Sequence, residues 1–156
     1  MVSEFESMTQ SEQELMFSLP VYVAVLIAGA DGEIDNKEVK KAINLAHSKL
    51  THARRDLIPY YNEANADFED KLKMAIANLP SGTKERQKVI TDKLKEANTC
   101  FDKLPKKFAI ELYSSLKEMA KQIAEASGGV FGYMAIDYEE SKLIDLKMIK
   151  DPARKN

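Results

Sequence analysis

The chain has few of the residues that form cross-links or tight turns. Its 156 residues include one cysteine and six glycines. The single cysteine, Cys100, rules out an internal disulfide and fits a reducing compartment, so we expect a cytoplasmic protein. No histidine or second cysteine is near Cys100 in the sequence, and we interpret it as a packing residue of a helix. The acidic N-terminus lacks the basic segment that opens a signal peptide.

An excess of charge of one sign is also missing. Lysine and arginine number 23 against 25 acidic residues, which gives a net charge of −2. This balance gives no electrostatic reason to expect nucleic acid or an anionic membrane as a partner. The longest apolar run, Leu19–Ala30, is shorter than the roughly 20 residues that a bilayer requires, and we expect no direct membrane insertion.

The motifs of common enzyme classes are missing as well. His47 and His52 are five residues apart, so they do not share a helical face as zinc-protease histidines do. The chain has no Gly-x-Ser-x-Gly motif and no phosphate-binding glycine loop. We therefore expect a protein that is not an enzyme. A metal-assisted hydrolase that uses the acidic residues described below is the enzymatic alternative.

Helix-forming residues dominate, and the spacing of the apolar residues predicts an all-α fold. Val21–Ala28 would also fit a buried strand, but a stable sheet needs more such runs, and the only other one lies at 130–136. Helical periodicity and capping residues predict α-helices over 11–29, 67–79, 83–100 and 108–126, with further helices that begin after caps at Asp35 and Asp137.

These elements predict one domain, a bundle of about six to seven helices. The domain extends over 11–150, between an N-terminal tail at 1–10 and a charged, frayed C-terminal tail at 151–156. The final helix is expected to carry Leu143, Ile144 and Leu146 on its inner face. Lysines alternate with acids at helical spacing, which is typical of solvated helix faces; these lysines are Lys40, Lys41, Lys71, Lys73, Lys93, Lys95, Lys106 and Lys107.

Two segments of the chain share one pattern. In each, an apolar helix ends in Ala-x-Ala, a glycine turn follows, and acids cap the next helix; the segments are Ala28–Glu38 and Ala124–Glu140. The pattern indicates a degenerate internal repeat. It predicts two helical halves related by a pseudo-twofold axis, with both acidic turns at one end of the bundle.

The first turn places four carboxylates within eight residues: Asp31, Glu33, Asp35 and Glu38. Clustered carboxylates repel one another and need either solvent or a cation. A standard EF-hand loop is excluded, because Ile27 and Gly29 stand where two more acids should lie. Helix capping explains Asp35 and Glu38 but leaves Asp31 and Glu33 unexplained, so capping and divalent-cation binding both remain open.

The stretch Ala30–Glu38 after an apolar helix, together with Ala124–Gly132 before a late capped helix, resembles the TerB-like family of tellurite-resistance proteins. The resemblance covers residues 12–149. It implies an all-helical fold of about seven helices and a cytoplasmic role in bacterial resistance to tellurite and related stress. It also implies binding of a divalent cation, calcium or another, and protein partners in larger, partly membrane-associated assemblies.

Carried over by motif, the resemblance implies cation ligands at Asp31, Glu33, Asp35 and Glu38. The second turn departs from the family pattern, because Ser127-Gly128 stands where many relatives have Asp-Gly. The acids of that turn must therefore come from further along the chain; they are Asp137, Glu139 and Glu140.

The leading hypothesis is a non-enzymatic, cation-responsive interaction module of the tellurite-resistance type. The alternative is a metal-independent protein–protein adaptor in which the acids serve only as helix caps. Tyrosines would then be candidates for the interface, although each one singly is expected to be partly buried with its hydroxyl in water; they are Tyr60, Tyr61, Tyr133 and Tyr138.

Overall fold

The apolar residues of the longest run form a helix rather than a strand. This computed structural model describes residues 2–30, 34, 36–126 and 143–154, and it contains no strand within those ranges. Six α-helices lie wholly within them: α1 (Gln10–Ala28), α2 (Asn36–His52), α3 (Ile58–Ala64), α4 (Phe68–Asn78), α5 (Thr83–Phe101) and α6 (Lys106–Glu125). The prediction of an all-α bundle is confirmed.

The central helix of the bundle is α1. From Leu19 to Ala28 every residue except Tyr22 is buried. A helix that is apolar all round must be covered on all sides, and α1 packs against each of the other five helices. By length and composition alone α1 could also cross a membrane, but 56% of its apolar window is buried inside the protein. Its place in the core accounts for its composition.

The four helices predicted with both ends match the observed ones to within two residues at each end. α2 starts at Asn36, which agrees with the predicted start after Asp35, whereas the cap itself lies outside the described residues. Two prolines occur where a missing amide hydrogen costs nothing: Pro59 lies in the first turn of α3, and Pro105 precedes α6.

The segment before α1 belongs to the core rather than to a free tail. Val2, Phe5 and Met8 are each less than 9% exposed, and Ser3–Phe5 forms a short 3₁₀ helix. The Phe5 ring centroid lies 5.1 Å from that of Phe17 and 6.1 Å from that of Phe108. This segment therefore closes the bundle around the first half of α1.

The last part of the chain differs from the prediction. Leu143 and Ile144 are helical, but the chain then turns, and Leu146 is buried with φ 49°, in the left-handed region. The prediction that Leu146 lies in the final helix is wrong. The Tyr113 hydroxyl donates to the carbonyls of Asp145 and Leu146, both at 3.1 Å, and so holds this turn against α6.

The prediction of a frayed C-terminal tail is also wrong as far as Arg154. Pro152–Arg154 forms a 3₁₀ helix that packs against α6, and Pro152 is buried. Further back, the Asn98 side chain donates to the Met148 carbonyl at 3.0 Å and accepts from the Lys150 amide at 2.8 Å. Side chains of α5 and α6 therefore fix the segment that follows residue 143.

Candidate functional site

The last turn of α1 leads directly into the first acidic turn. Gly29 follows the helix, and its amide donates to the Val25 carbonyl at 3.0 Å. A Cβ at Gly29 would lie 2.7 Å from Arg86 Nη2 and 2.8 Å from Ile34 Cδ1. Both distances are shorter than real Cβ contacts allow, so glycine is the residue that lets these two side chains approach the end of α1.

The side chains that cover the end of α1 come from the first turns of α5. Arg86 donates from Nη2 to the Gly29 carbonyl at 3.0 Å and from Nη1 to the Ser81 carbonyl at 3.2 Å. Gln87 donates from Nε2 to the Ala30 carbonyl at 3.3 Å. The carbonyls at a helix C-terminus have no donor within the helix and carry partial negative charge. A guanidinium supplies both the missing hydrogen-bond donor and a compensating positive charge.

Arg86 is buried, with only 5% of its surface exposed. Its burial was not predicted, because it lies in the charged stretch Lys84–Lys88. A signal was present: Arg86 precedes Ile90 by four residues and Leu94 by eight, so it lies on the inner stripe of α5.

Of the seven predicted cation ligands, the structure describes one. Glu38 lies in the first turn of α2 and is 8% exposed. The other six lie outside the described residues: Asp31, Glu33, Asp35, Asp137, Glu139 and Glu140. Within the described ranges, no three histidine, cysteine or acidic side chains are grouped closely enough to hold a metal ion. The cation site therefore stays a prediction.

The residues that flank the two predicted turns lie near each other. A groove of about 600 Å³ separates α2 from α6, and its lining includes Lys37 near the start of α2 and Ala126 just after α6. The chain therefore enters the second segment, Ala124–Glu140, close to α2. The two turns themselves lie outside the described ranges, so their common end of the bundle and the pseudo-twofold axis both stay predictions.

Two of the tyrosines proposed for an interface are core residues. Tyr60 and Tyr61 are both 0% exposed, so the prediction of exposure or partial burial is wrong for them. The Tyr60 hydroxyl donates to the Met16 carbonyl, and the Tyr61 hydroxyl pairs with Ser115 Oγ. Burial raises the pKa of Tyr60, and it raises that of Tyr61 to about 12. Tyr133 and Tyr138 lie outside the described residues.

Cys100 packs in the core, as predicted. It is 1% exposed, and burial, together with the nearby Glu12 carboxylate, raises the pKa of its thiol. The thiol is therefore protonated at neutral pH and poorly nucleophilic. His47 is exposed on α2, and His52 is the last residue of that helix. The lysines predicted to form solvated faces are all exposed: Lys40, Lys41, Lys71, Lys73, Lys93, Lys95, Lys106 and Lys107.

Comparison of the chain with protein-family models, with curated proteins and with solved structures found no match. The similarity to the TerB-like family rests on the two sequence motifs, and what it implies about function stays a prediction.

Proposed function

We propose that this protein is a non-enzymatic interaction module of the TerB-like, tellurite-resistance type, whose first acidic turn binds a divalent cation. The observation that carries the proposal is that the turn joins two fixed ends. Arg86 and Gln87 donate to the carbonyls of the two residues that follow α1, and Glu38 is buried in the first turn of α2. A short connection between fixed ends loses less conformational entropy when it closes on a ligand.

The donor set fits a hard cation. Asp31, Glu33, Asp35 and Glu38 supply carboxylate oxygens, which are the ligands that calcium and magnesium prefer. Calcium accepts irregular coordination by six to eight oxygens, so it suits a short acidic turn better than magnesium, which demands octahedral geometry. The second turn supplies further carboxylates, from Asp137, Glu139 and Glu140.

A bound cation would neutralise the mutual repulsion of the carboxylates and stiffen the connection between α1 and α2. The altered surface would then be read by a protein partner. By resemblance to the TerB-like family, the partner belongs to a stress-resistance assembly in the bacterial cytoplasm, partly associated with the membrane. The near-balanced charge of the chain favours protein partners over nucleic acid.

The second candidate is a metal-independent adaptor in which the acids serve only as caps. The observation in its favour is Arg86, a permanent cation buried at the end of α1, which can supply the positive charge that the acids need. α2 begins at Asn36, so Asp35 directly precedes the helix in the sequence, and an acid that caps a helix N-terminus is favoured without any metal.

Thermal unfolding of chelator-treated protein separates the two candidates. Calcium, magnesium, manganese and zinc are added in turn to the wild type and to Asp31→Asn/Glu33→Gln, which leaves the buried Glu38 intact. A ligand at a hundred times its dissociation constant stabilises by about 2.7 kcal/mol, which raises the melting temperature by roughly 5–10 °C in a chain of this size. The control is Asp70→Asn/Glu6→Gln, which removes the same number of negative charges from two other exposed residues. Asp70 lies on α4, and Glu6 lies before α1.

We expect calcium to raise the melting temperature of the wild type and of the control, and not that of Asp31→Asn/Glu33→Gln. A flat response to every metal at millimolar concentration would eliminate cation binding and leave the metal-independent adaptor. A shift that persists in Asp31→Asn/Glu33→Gln would place the cation elsewhere and contradict the proposal.

A further inference from the structure

We infer that the groove between α4 and α5, with α1 as its floor, is the docking site for a basic amphipathic helix of a protein partner. The inference rests on the proposed function only for the existence of a protein partner, and it requires no cation. It is carried by the shape of the groove, by its apolar lining and by one carboxylate at its centre.

The groove exists because α4 and α5 both pack against α1 but hardly contact each other. The side of α1 between them is therefore left without a covering helix. The open space has two adjoining parts, of about 460 Å³ beside α5 and about 500 Å³ beside α4. Glu14, Ser18 and Tyr22 line both parts, and their spacing of four residues puts them on one face of α1. Tyr22, the exception in the buried run of α1, thus faces this groove.

The apolar part of the lining lies beside α4. Phe17, Val21 and Tyr22 of α1 and Ala75 of α4 line it. Met74, the neighbour of Ala75 in the sequence, is 63% exposed, and no other large apolar residue of the described ranges is exposed. Solvent-accessible apolar surface in a concave site is typical of a binding surface, and methionine adapts its shape to different contacts. This part of the groove can therefore receive apolar side chains of a partner.

The charge of the partner is indicated by Glu14. It is exposed, and its carboxylate accepts a hydrogen bond at 3.3 Å from Gln10 Nε2, a neutral donor. By contrast, Glu12 on the α5 side pairs with Lys103 at 2.9 Å. The groove is lined by four glutamates and two lysines, so negative charge exceeds positive charge even when Lys103 is added. A lysine or arginine of the partner would form an ion pair with Glu14 that no described residue of this chain provides.

The shape of the groove favours a helix over an extended segment. Its floor extends from Ser11 to Tyr22, about 17 Å or three helical turns. A helix satisfies its own backbone hydrogen bonds, whereas an extended peptide binds by adding to the edge of a sheet, and the described ranges contain no strand. The segment 127–142 of this chain is a poorer match in charge than a basic helix, because it contains three acids and one lysine.

Calorimetric titration with a synthetic helix tests the inference. The probe is a peptide of about 14 residues, roughly four turns, with leucines on one helical face and lysines on the other. The control peptide has glutamate in place of every lysine. We expect the lysine peptide to bind chelator-treated protein with a micromolar dissociation constant, more weakly as salt is added, and the glutamate peptide not to bind.

Charge reversal at Glu14 locates the binding site. The matched control is Glu118→Lys on α6, because Glu118 is also exposed and its carboxylate also accepts from a glutamine, Gln122, at 3.3 Å. We expect Glu14→Lys to weaken binding of the lysine peptide about tenfold, because an attraction becomes a repulsion, and Glu118→Lys to change it little.

A second pair of variants tests the apolar part. Ala75→Arg places a large charged side chain in the groove, whereas Ala77→Arg adds the same charge at an exposed position of α4 outside the lining. We expect only Ala75→Arg to abolish binding of the lysine peptide. Should Ala75→Arg not fold, the exposed Glu14 and its control decide the question.

Three results would overturn the inference: no binding of the lysine peptide, equal binding of the glutamate peptide, or equal effects within the matched pairs of variants. Sedimentation of the protein alone supplies a further one. A wild-type dimer that Ala75→Arg converts to a monomer, while Ala77→Arg does not, would assign the groove to a second copy of the chain.

The titration is separable from the test of the proposed function, since it contains no metal. Failure of calcium to stabilise the protein would overturn cation binding and leave the groove as a docking site. Failure of the lysine peptide to bind would overturn the docking site and leave cation binding by the turn unaffected.

Discussion

At the scale of single residues, Pro20 creates a defect in α1 that a distant residue corrects. Proline has no amide hydrogen, so the Met16 carbonyl, four residues earlier, loses its helical donor. The Tyr60 hydroxyl, 44 residues further along the chain, donates to that carbonyl at 2.5 Å. Both residues are buried, so water cannot donate to the Met16 carbonyl. The Tyr60 hydroxyl therefore supplies the hydrogen bond that this carbonyl would otherwise lack.

We predict that the cost of Tyr60→Phe depends on residue 20. With Pro20 present, the substitution leaves the buried Met16 carbonyl without a donor and lowers the free energy of unfolding by about 1–3 kcal/mol. In a Pro20→Ala background the alanine amide can donate instead, and the loss should fall by at least half. Urea unfolding of the four proteins measures the difference.

Tyr61→Phe is the matched control, because it removes the bond to Ser115 Oγ, which lies on α6 and not on the proline-containing helix. Its cost should be the same in both backgrounds. Equal costs of Tyr60→Phe with proline and with alanine at position 20 would show that the Met16 carbonyl is satisfied in another way.

These residues show why the sequence predicted some features and not others. The tyrosines were expected to be partly buried with their hydroxyls in water, whereas Tyr60 and Tyr61 are core residues. The pairing of Tyr60 with Met16 joins residues on different helices, and no local pattern encodes it. The burial of Arg86 was not predicted for a related reason. Its charged neighbours in the sequence are typical of an exposed helix face, although Arg86 itself lies on the inner stripe of α5.

At the scale of helices, the N-terminus of α1 is fixed by a capping box that also carries a tertiary contact. Thr9 Oγ1 accepts from the Glu12 amide at 3.1 Å, and Glu12 Oε1 accepts from the Thr9 amide at 2.9 Å. Lys103, after α5, places its ammonium 2.9 Å from both Glu12 oxygens. The backbone hydrogen bond from Thr9, and then Lys103, lower the pKa of Glu12 below its ordinary value of 4.5.

This shift predicts a pH-dependent effect of Glu12→Gln. The carboxylate is stabilised in the folded state, so its contribution is present above about pH 4.5 and is lost as the pH falls through the lowered pKa. The melting temperature of Glu12→Gln should therefore lie below that of the wild type at pH 6 and approach it near pH 2.5. A difference that stays constant over this range would contradict the assignment.

Lys103→Met provides the companion measurement. It removes the ion pair and keeps the bond from Thr9, which is the larger cause of the shift. The effect of Glu12→Gln in that background should be smaller and should still depend on pH.

Helices were predicted more accurately than the segments that end the chain. Periodicity and caps are local properties, and they placed the ends of α1, α4, α5 and α6 within two residues. The course of the chain after residue 143 depends instead on Asn98 of α5 and Tyr113 of α6, whose side chains form hydrogen bonds with backbone carbonyls of that segment. Such contacts across the bundle can impose a left-handed residue such as Leu146 on a sequence with helical spacing.

At the scale of the whole molecule, the bundle is arranged around α1, and the acidic turn follows directly from the end of that helix. The second half of α1 is apolar all round, and only full burial at the centre of the bundle suits such a helix. The acidic residues identified a candidate site, and Glu38 is its described member, buried at the start of α2. The buried guanidinium of Arg86 donates to the Gly29 carbonyl after α1, and it could be identified only from the packing of α5 against α1.

The central claim is that the connection between α1 and α2 responds to a divalent cation, and hydrogen–deuterium exchange tests it most directly. Amides of a short connection exchange by local opening, so a bound cation should slow them without a matching change elsewhere. We predict that calcium slows exchange in peptides covering residues 29–40 of the wild type and leaves Asp31→Asn/Glu33→Gln unchanged. Exchange in residues 29–40 of the wild type that is the same with and without calcium would contradict the claim.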